Sequence, residues 1–229
     1  MKREQQMKIP AREAILARLK KAPTVKTSRP IRPVLPAESW GREELIGNFR
    51  ENLARLEVPL HRAAGYEEAA LSLSRIAKEE GFRRVMASHD QVVKKLSLAP
   101  WGRENGVEVR FPGDFPTREA YKEAVFNEVD GGITGVDYAI AESGTLCLLH
   151  RADQPRLISL APIIHVALVP AEVIYGVYET VLTRIYEGES LPGQVTFITG
   201  PSITADIQMT PFRGMHGPRK LIVILLEQP

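Results

Sequence analysis

Cysteine is almost absent from this sequence, since Cys147 is the only one among 229 residues. A single cysteine excludes an internal disulfide, and it excludes an iron–sulfur cluster held by this chain alone, which takes about four thiolates. No apolar run approaches the roughly 18 residues that cross a bilayer. The basic start, Met1–Lys2–Arg3–Glu4, leads into no apolar stretch of the kind found in secretory signals. These absences predict a protein of the reducing cytoplasm.

The common metal and nucleotide motifs are also missing. The sequence contains no HExxH or CxxC pattern, no GxGxxG and no GxxxxGK[ST], and its histidines lack the spacing of metal ligands. We therefore expect no metal and no tightly held cofactor in this chain. His165, within an apolar strand pattern, is expected to be a hydrogen-bonded core residue, and Cys147 to pack as a small hydrophobe.

Charge is unevenly distributed along the chain. Residues 1–33 carry ten Lys/Arg and two Glu, a net charge of +8, which leaves −6 for the rest of a chain whose net charge is +2. Residues 1–39 are predicted to be a basic helix followed by a proline-rich linker, and residues 40–229 one domain. The arm can dock on an acidic partner or on nucleic acid. It has no interleaved aromatic residues, so a solvated helix is the favoured interpretation and nucleic acid the weakest.

Helical and strand patterns alternate through the first half of the domain. Residues 66–77 show a helical stripe between two glycines, Ser88 begins an apparent capping box, and Thr117 precedes another helix. This alternation predicts an α/β domain with a single mixed, largely parallel sheet flanked by helices. Residues 173–185 predict a further helix, and the short loops between residues 145 and 169 predict antiparallel neighbours. Strands are predicted at residues 58–60, 84–87, 107–110, 145–149, 157–160, 163–169, 194–199 and 220–226.

The most informative stretch is residues 131–146. Its glycines, Gly131–Gly135, predict a turn, followed by a short apolar strand, Glu142, a second glycine turn and another strand. Glu142 is a charge between Ile140–Ala141 and Leu146–Cys147. A carboxylate in apolar surroundings must be paired, protonated or used in chemistry. A purely structural role for the glycine turns explains the pattern equally well.

A second informative stretch, residues 199–206, follows a predicted strand. If a helix or turn begins there, its backbone N–H groups and the Ser202 and Thr204 hydroxyls suit a carboxylate or phosphate. The alternative is that one of these hydroxyls caps a helix. Downstream, His216 lies between Gly214 and Gly217 and can exchange protons near neutral pH.

Together these motifs resemble the LUD domain family, over roughly residues 40–228. The resemblance implies a fold like that of ribose-5-phosphate isomerase and CoA transferases. It implies a cleft with Glu142, His216 and Asp206 as candidate catalytic groups. The candidate substrate- or anion-binding residues, by the same resemblance, are Ser143, Gly144, Thr145, Gly200, Ser202 and Thr204. The motifs that carry the resemblance are residues 131–135 with Asp137, residues 139–145, residues 200–202 with 204–206, and residues 215–218.

The resemblance also implies a role in the NAD-independent oxidation of L-lactate to pyruvate. It implies two iron–sulfur partner proteins, so this chain is expected to be the subunit without a cluster. Two other hypotheses remain open. In the first hypothesis, the chain is a non-catalytic scaffold of that complex. In the second, it is a stand-alone acyl-CoA or sugar-phosphate enzyme that uses Glu142 as nucleophile or base.

Overall fold

The computed structural model of the protein describes residues 11–22, 40–188, 191–205, 211–214 and 216–228. The chain divides after Pro36 into two units. The described residues of the first unit form helix α1 (Ala11–Lys21), none of which is buried. Its apolar residues Ile15, Leu16 and Leu19 are all exposed. This agrees with the solvated helix that the sequence favours.

The second unit contains the remaining helices and strands. Its strands are β1 (Leu60–Ala63), β2 (Arg84–Ala87), β3 (Glu108–Arg110), β4 (Gly131–Gly135), β5 (Tyr138–Ile140), β6 (Thr145–Leu149), β7 (Ile164–Pro170), β8 (Ile174–Tyr175), β9 (Val195–Ile198), β10 (Ile203–Ala205), β11 (Pro211–Arg213) and β12 (Lys220–Leu226). Its helices are α2 (Arg42–Arg55), α3 (Tyr66–Glu80), α4 (Gln91–Lys95), α5 (Leu98–Asn105), α6 (Arg118–Asn127), α7 (Leu157–Leu160) and α8 (Tyr178–Glu187).

Six strands form a parallel sheet in the order β1-β12-β7-β4-β2-β3. A second sheet, β8-β5-β6-β9, contains the antiparallel pairs β5–β6 and β6–β9. Strands β10 and β11 pair only with each other, as an antiparallel ribbon. The predicted α/β class, with a largely parallel sheet flanked by helices, is confirmed. Its antiparallel pairs lie in a separate small sheet.

The two faces of the parallel sheet bury different layers. On β7, Val166 packs into a core that contains residues of α3 and α5, whereas the next residue, Ala167, packs into a core with Phe49 and Leu53 of α2. Because neighbouring side chains on a strand point to opposite faces, α3 and α5 cover one face and α2 covers the other. Leu146 of β6 belongs to the second core. The small sheet therefore packs on the α2 face.

Helix ends follow the sequence where caps are present. Helix α3 begins after Gly65 and ends at Gly81, whose φ of 68° is the left-handed conformation of a glycine C-cap. The Thr117 hydroxyl accepts a hydrogen bond from Ala120 N and starts α6, as predicted. The predicted capping box at Ser88 is wrong in detail. Asp90 caps α4 by accepting from the backbone N–H groups of Val92 and Val93.

The structure corrects the prediction for the glycine-rich segment Gly131–Gly135, which is the central strand β4 and not a turn. Its glycines are required by close packing. A Cβ on Gly132 would overlap the carbonyl oxygen of Ile158, and one on Gly131 would lie 2.9 Å from the Phe82 ring. The segment is glycine-rich because neighbouring groups occupy the side-chain space.

Three further predictions about elements are wrong. Leu157–Leu160 is helix α7 instead of a strand, since a four-residue segment with three apolar residues and Ser159 does not distinguish the two. Strands β6 and β7 on either side of it lie in different sheets and are not antiparallel neighbours. Within residues 173–185, Val173 ends a short 3-10 helix, Ile174–Tyr175 forms β8, and the α-helix begins only at Tyr178. Within the described part of the chain, none of the helices combines the length and apolar character of a membrane span.

His165 is a buried, hydrogen-bonded core residue, as predicted. It is 0% exposed, and its Nε2 lies 2.8 Å from the Thr134 hydroxyl of the neighbouring strand. Burial lowers the pKa of His165 to about 3. The imidazole is therefore neutral in the folded protein at every pH at which the domain is normally studied.

This burial predicts a pH dependence of stability. Between pH 6.5 and about 3 the unfolded chain binds a proton at His165 that the folded chain does not, so stability falls as the pH falls. From pH 6.5 to pH 5, this group should remove roughly 2 kcal/mol from the free energy of unfolding. Urea denaturation of wild type and His165→Gln at pH 7.5 and 5.0 checks this, because the variant should lose less stability on acidification. An equal loss in both proteins would contradict the prediction.

Candidate functional site

The turn between β5 and β6, residues 141–144, is the first part of the site. Ile140 and Thr145 are paired across the two strands, so these four residues form the connection. Gly144 has a φ of +63°, which favours glycine. A Cβ at this position would also stand 3.0 Å from Leu53 N and 3.1 Å from Asn52 C. Conformation and close approach to α2 therefore both require glycine here.

Asn52 of α2 holds this turn in place. Its Nδ2 donates to the Ala141 carbonyl at 2.8 Å, while Ala141 N donates to the Tyr175 carbonyl at 2.7 Å. The turn is thus held from the helix on one side and from β8 on the other. Sequence reasoning missed Asn52, although a signal was present. The residue is an amide set between Phe49 and Leu53 on the apolar face of an amphipathic helix.

Glu142 lies at the surface of the turn and not in apolar surroundings. Its backbone N–H donates to the Gly176 carbonyl at 3.0 Å. Its Oε1 accepts a hydrogen bond from Tyr178 N, also at 3.0 Å. Tyr178 is the first residue of α8, so the carboxylate supplies an acceptor for an N–H group that the helix itself leaves without one.

Three hydroxyl groups connect the turn to the end of β9. The Ser143 Oγ lies 2.8 Å from Thr145 Oγ1, which lies 2.8 Å from Thr199 Oγ1. Thr145 is 5% exposed, whereas Ser143 is half-buried and Thr199 is exposed. Sequence reasoning did not select Thr199, whose position opposite Thr145 follows from the β6–β9 pairing. This hydroxyl chain, Ser143–Thr145–Thr199, reaches from the core to the surface.

The segment after Thr199 forms the second part of the site. Gly200 has a φ of +80° and packs against Leu56, close to the end of α2. Ser202 N donates to the Pro218 carbonyl, and Gly214 N donates to the Ser202 carbonyl, both at 2.9 Å. The structure thus brings Ser202 against the loop that contains His216, which is exposed. The hydroxyl chain ends at Thr199, three residues before Ser202, so the turn of residues 141–144 and the segment that contains Ser202 are connected through β9.

Of the helix or turn that the sequence allowed after Gly200, the structure shows a bend and no helix. The chain continues as strand β10, in which Thr204 pairs with Phe212 of β11. The Ser202 N–H is already used by Pro218, so the Ser202 hydroxyl is the better donor for an anion. Asp206, a predicted catalytic residue, lies outside the described residues. In the part of the chain that the structure describes, no group of three or more His, Cys, Asp or Glu side chains could hold a metal ion.

A second polar cluster, which the sequence did not reveal, lies at the carboxyl ends of β2 and β4. The Asp90 carboxylate is 4% exposed and accepts hydrogen bonds from Gly135 N and the Ser88 hydroxyl, besides the two α4 amides. The buried Gln154 side chain donates to the Gly135 carbonyl at 2.7 Å. Ligands often bind at this edge of parallel sheets. Here the Asp90 interactions hold the start of α4 against β4, so we assign this cluster a structural role.

Asp137 follows β4 and stabilises the small sheet. Its carboxylate accepts from Leu149 N at 2.7 Å and from Arg151 Nη1 at 2.8 Å. Burial nonetheless raises the pKa of Asp137, and these hydrogen bonds only partly offset that effect. Burial likewise raises the pKa of the Cys147 thiol to about 12. Cys147 is fully buried and packs as a small hydrophobe, as predicted.

Comparisons with known proteins place the chain in a family. The profile of the LUD domain matches residues 46–226. Lactate utilization protein C of Bacillus licheniformis is 35% identical over 211 residues, which cover 83% of this chain and 81% of the relative. Lactate utilization protein C of Halalkalibacterium halodurans is 31% identical over 81% of this chain and 80% of its own. An uncharacterized protein of Neisseria meningitidis is 30% identical over 94% of this chain and 93% of its own.

The fold is also found in a solved structure. The crystal structure of a DUF162 family protein from Deinococcus radiodurans matches with a TM-score of 0.56 and 27% sequence identity, over 82% of this chain and 99% of that one. The profile match spans the strands and turns that build the site described above. The chain therefore belongs to the LUD domain family.

Proposed function

We propose that this protein takes part in lactate utilization, as the cluster-free subunit of a system that oxidises L-lactate to pyruvate without NAD. The observation that carries the proposal is the likeness to proteins named lactate utilization protein C. These relatives include one that is 35% identical over 83% of the chain. The likeness extends over most of the length of both proteins. It therefore concerns a whole protein of this kind and not a shared fragment.

Electron balance supports the need for partner proteins. Oxidation of lactate to pyruvate removes two electrons and two protons from the substrate. The single cysteine of this chain is buried, and its pKa is raised to about 12, so it is not available as a thiolate. We propose that the two electrons pass to the iron–sulfur clusters of two partner proteins. In this proposal the present chain contributes binding and proton transfer.

The cleft offers groups of suitable chemistry for such a role. The hydroxyls of Ser143, Thr145 and Ser202 are hydrogen-bond donors for a substrate carboxylate. Glu142 and His216, both exposed, are the candidate groups for moving protons. Thr204 and Asp206 remain predicted contributors from the sequence. Because Glu142 also caps α8, any change at this residue must be tested for folding as well as for activity.

Ligand-induced stabilisation tests whether the cleft is a binding site. Lactate or pyruvate at about 100 times its dissociation constant should add about 2.7 kcal/mol, or roughly 5–10 °C in Tm. Ser202→Ala/Thr145→Val should abolish this shift because it removes two donors. Thr183→Ala on α8 is the matched control and should retain the shift.

The pattern of responses separates the hypotheses. A shift with phosphate or CoA but with neither carboxylate would favour the stand-alone acyl-CoA or sugar-phosphate enzyme. A shift that survives in Ser202→Ala/Thr145→Val would place the ligand elsewhere. If lactate, pyruvate, phosphate and CoA all leave the Tm unchanged, the result would count against a ligand site in this chain and would favour the scaffold hypothesis.

A further inference from the structure

A surface groove of about 730 Å³ lies between α3 and the segment that follows α5. Its apolar lining comes from Ala77 of α3, from Phe82, and from Val107 just before β3. Leu71 stands at the margin and is 63% exposed. The apolar surface therefore continues from the groove onto the adjoining face of α3.

Three cations surround this apolar surface. Arg75, Lys78 and Arg83 line the groove, and all three are exposed. No acidic residue is among its lining residues. None of the three cations forms an ion pair with another residue that the structure describes. Elsewhere on this surface arginines are paired, as Arg84 and Arg110 are with Glu108. The rim of the groove is thus positively charged, and the nearby Asp130 carboxylate is bound to the Arg83 backbone N–H rather than to one of these cationic side chains.

The groove is separate from the candidate functional site. Its helices α3 and α5 pack into the core on one face of the parallel sheet, through residues such as Leu73 and Trp101. The site turn and α2 pack into the core on the opposite face. An occupant of this groove therefore does not compete for the cleft, and the inference below is independent of the proposed function.

The shape of the groove indicates the size of its occupant. Leu71, Arg75 and Lys78 recur at helical spacing along one side of α3, and they span about 10 Å at 1.5 Å per residue. This strip of α3 is two helical turns long, it is exposed to solvent, and it begins at Leu71. A long apolar and cationic strip of this kind matches a helix that presents apolar residues at i, i+3 or i+4, and i+7.

We propose that the groove receives an acidic amphipathic helix of a partner protein. The apolar side of that helix lies on Phe82, Val107 and Leu71, and its carboxylates face Arg75, Lys78 and Arg83. Charge complementarity guides the encounter and fixes the orientation. Leu71 offers the main apolar contact, since Phe82 and Val107 are each only 5% exposed and form the floor of the groove.

A designed peptide tests this surface directly. The probe is a fluorescein-labelled peptide of about 18 residues, long enough to form a helix, with leucine at the apolar positions and glutamate elsewhere. Fluorescence anisotropy with the full chain should show saturable binding that weakens with salt. Arg75→Glu/Lys78→Glu should weaken binding at least about tenfold. Arg118→Glu/Lys122→Glu on α6, with the same change in net charge and equally exposed side chains, should leave it nearly unchanged.

Three outcomes would overturn the proposal. One is the absence of binding, and another is equal weakening by both double variants, which would indicate attraction by net charge alone. The third is full displacement of the peptide by dodecanoate at an equal concentration, which would make the groove a site for a small anionic amphiphile. Leu71→Ala should weaken peptide binding without changing the Tm, because Leu71 is mostly exposed.

Discussion

Gly132→Ala is expected to lower the free energy of unfolding by roughly 3 kcal/mol or more, as a severe case of overpacking. The added Cβ would overlap the Ile158 carbonyl oxygen and stand 3.0 Å from the Ile158 carbonyl carbon. Both atoms belong to the backbone of α7, so a side-chain rotation cannot relieve the clash. Either β4 or α7 must move, although β4 is a buried strand within the parallel sheet and α7 packs on it. Urea denaturation followed by circular dichroism measures the loss.

Gly47→Ala is the matched control for this substitution. Gly47 lies within α2, and a Cβ there meets nothing within 4 Å. Because glycine within a helix is less stable than alanine, this variant should gain about 0.5–1 kcal/mol. If Gly132→Ala is as stable as wild type, the packing of α7 on β4 described here is wrong.

Glu142→Gln is expected to lower lactate turnover of the assembled system by roughly 10²–10⁴-fold, the usual contribution of a general acid or base. Glutamine has nearly the same shape, and its side-chain oxygen can still accept the hydrogen bond from Tyr178 N. The variant therefore removes the charge and the proton-transfer group while it keeps the cap of α8. The Tm and the assembly with partner proteins should remain close to wild type.

Glu67→Gln provides the comparison for Glu142→Gln. Glu67 is an exposed glutamate in the first turn of helix α3. Its replacement should leave turnover unchanged. If Glu142→Gln assembles normally and turns over lactate within about threefold of wild type, Glu142 is a capping residue only. That result would favour the scaffold hypothesis.

Local signals predicted much of the fold correctly. The helical stripe between Gly65 and Gly81 and the Thr117 cap gave the starts of α3 and α6, because capping depends on neighbours within a few residues. The last strand, Lys220–Leu226, was predicted to the residue, since a run of aliphatic side chains of this length fits a buried parallel strand.

Long-range packing explains what the sequence could not show. The sequence of Gly131–Gly135 predicts a turn. Its glycines are instead required because Phe82, Ile158 and Asp90, which are distant in sequence, occupy the space of a side chain. Leu157–Leu160 is helical in a connection between two sheets, a context that these four residues do not reveal.

In the candidate site, too, the features that depend on long-range packing were not predicted from the sequence. The family resemblance implied that Thr145 and Ser202 belong to one site, and in the structure the β6–β9 pairing joins the segments that carry them. The motifs did not indicate that Glu142 is exposed and bound to the start of α8, 36 residues later. They also did not indicate Asn52, which fixes the turn from a separate helix.

The most direct test of the proposed function is lactate-dependent dye reduction by the purified protein, measured alone and after addition of the two iron–sulfur proteins. We predict no reduction by the single chain, because the oxidation needs an electron carrier that its one buried cysteine cannot supply. Reduction should begin only when both partners are present. Lactate-dependent dye reduction by this chain alone would contradict the account.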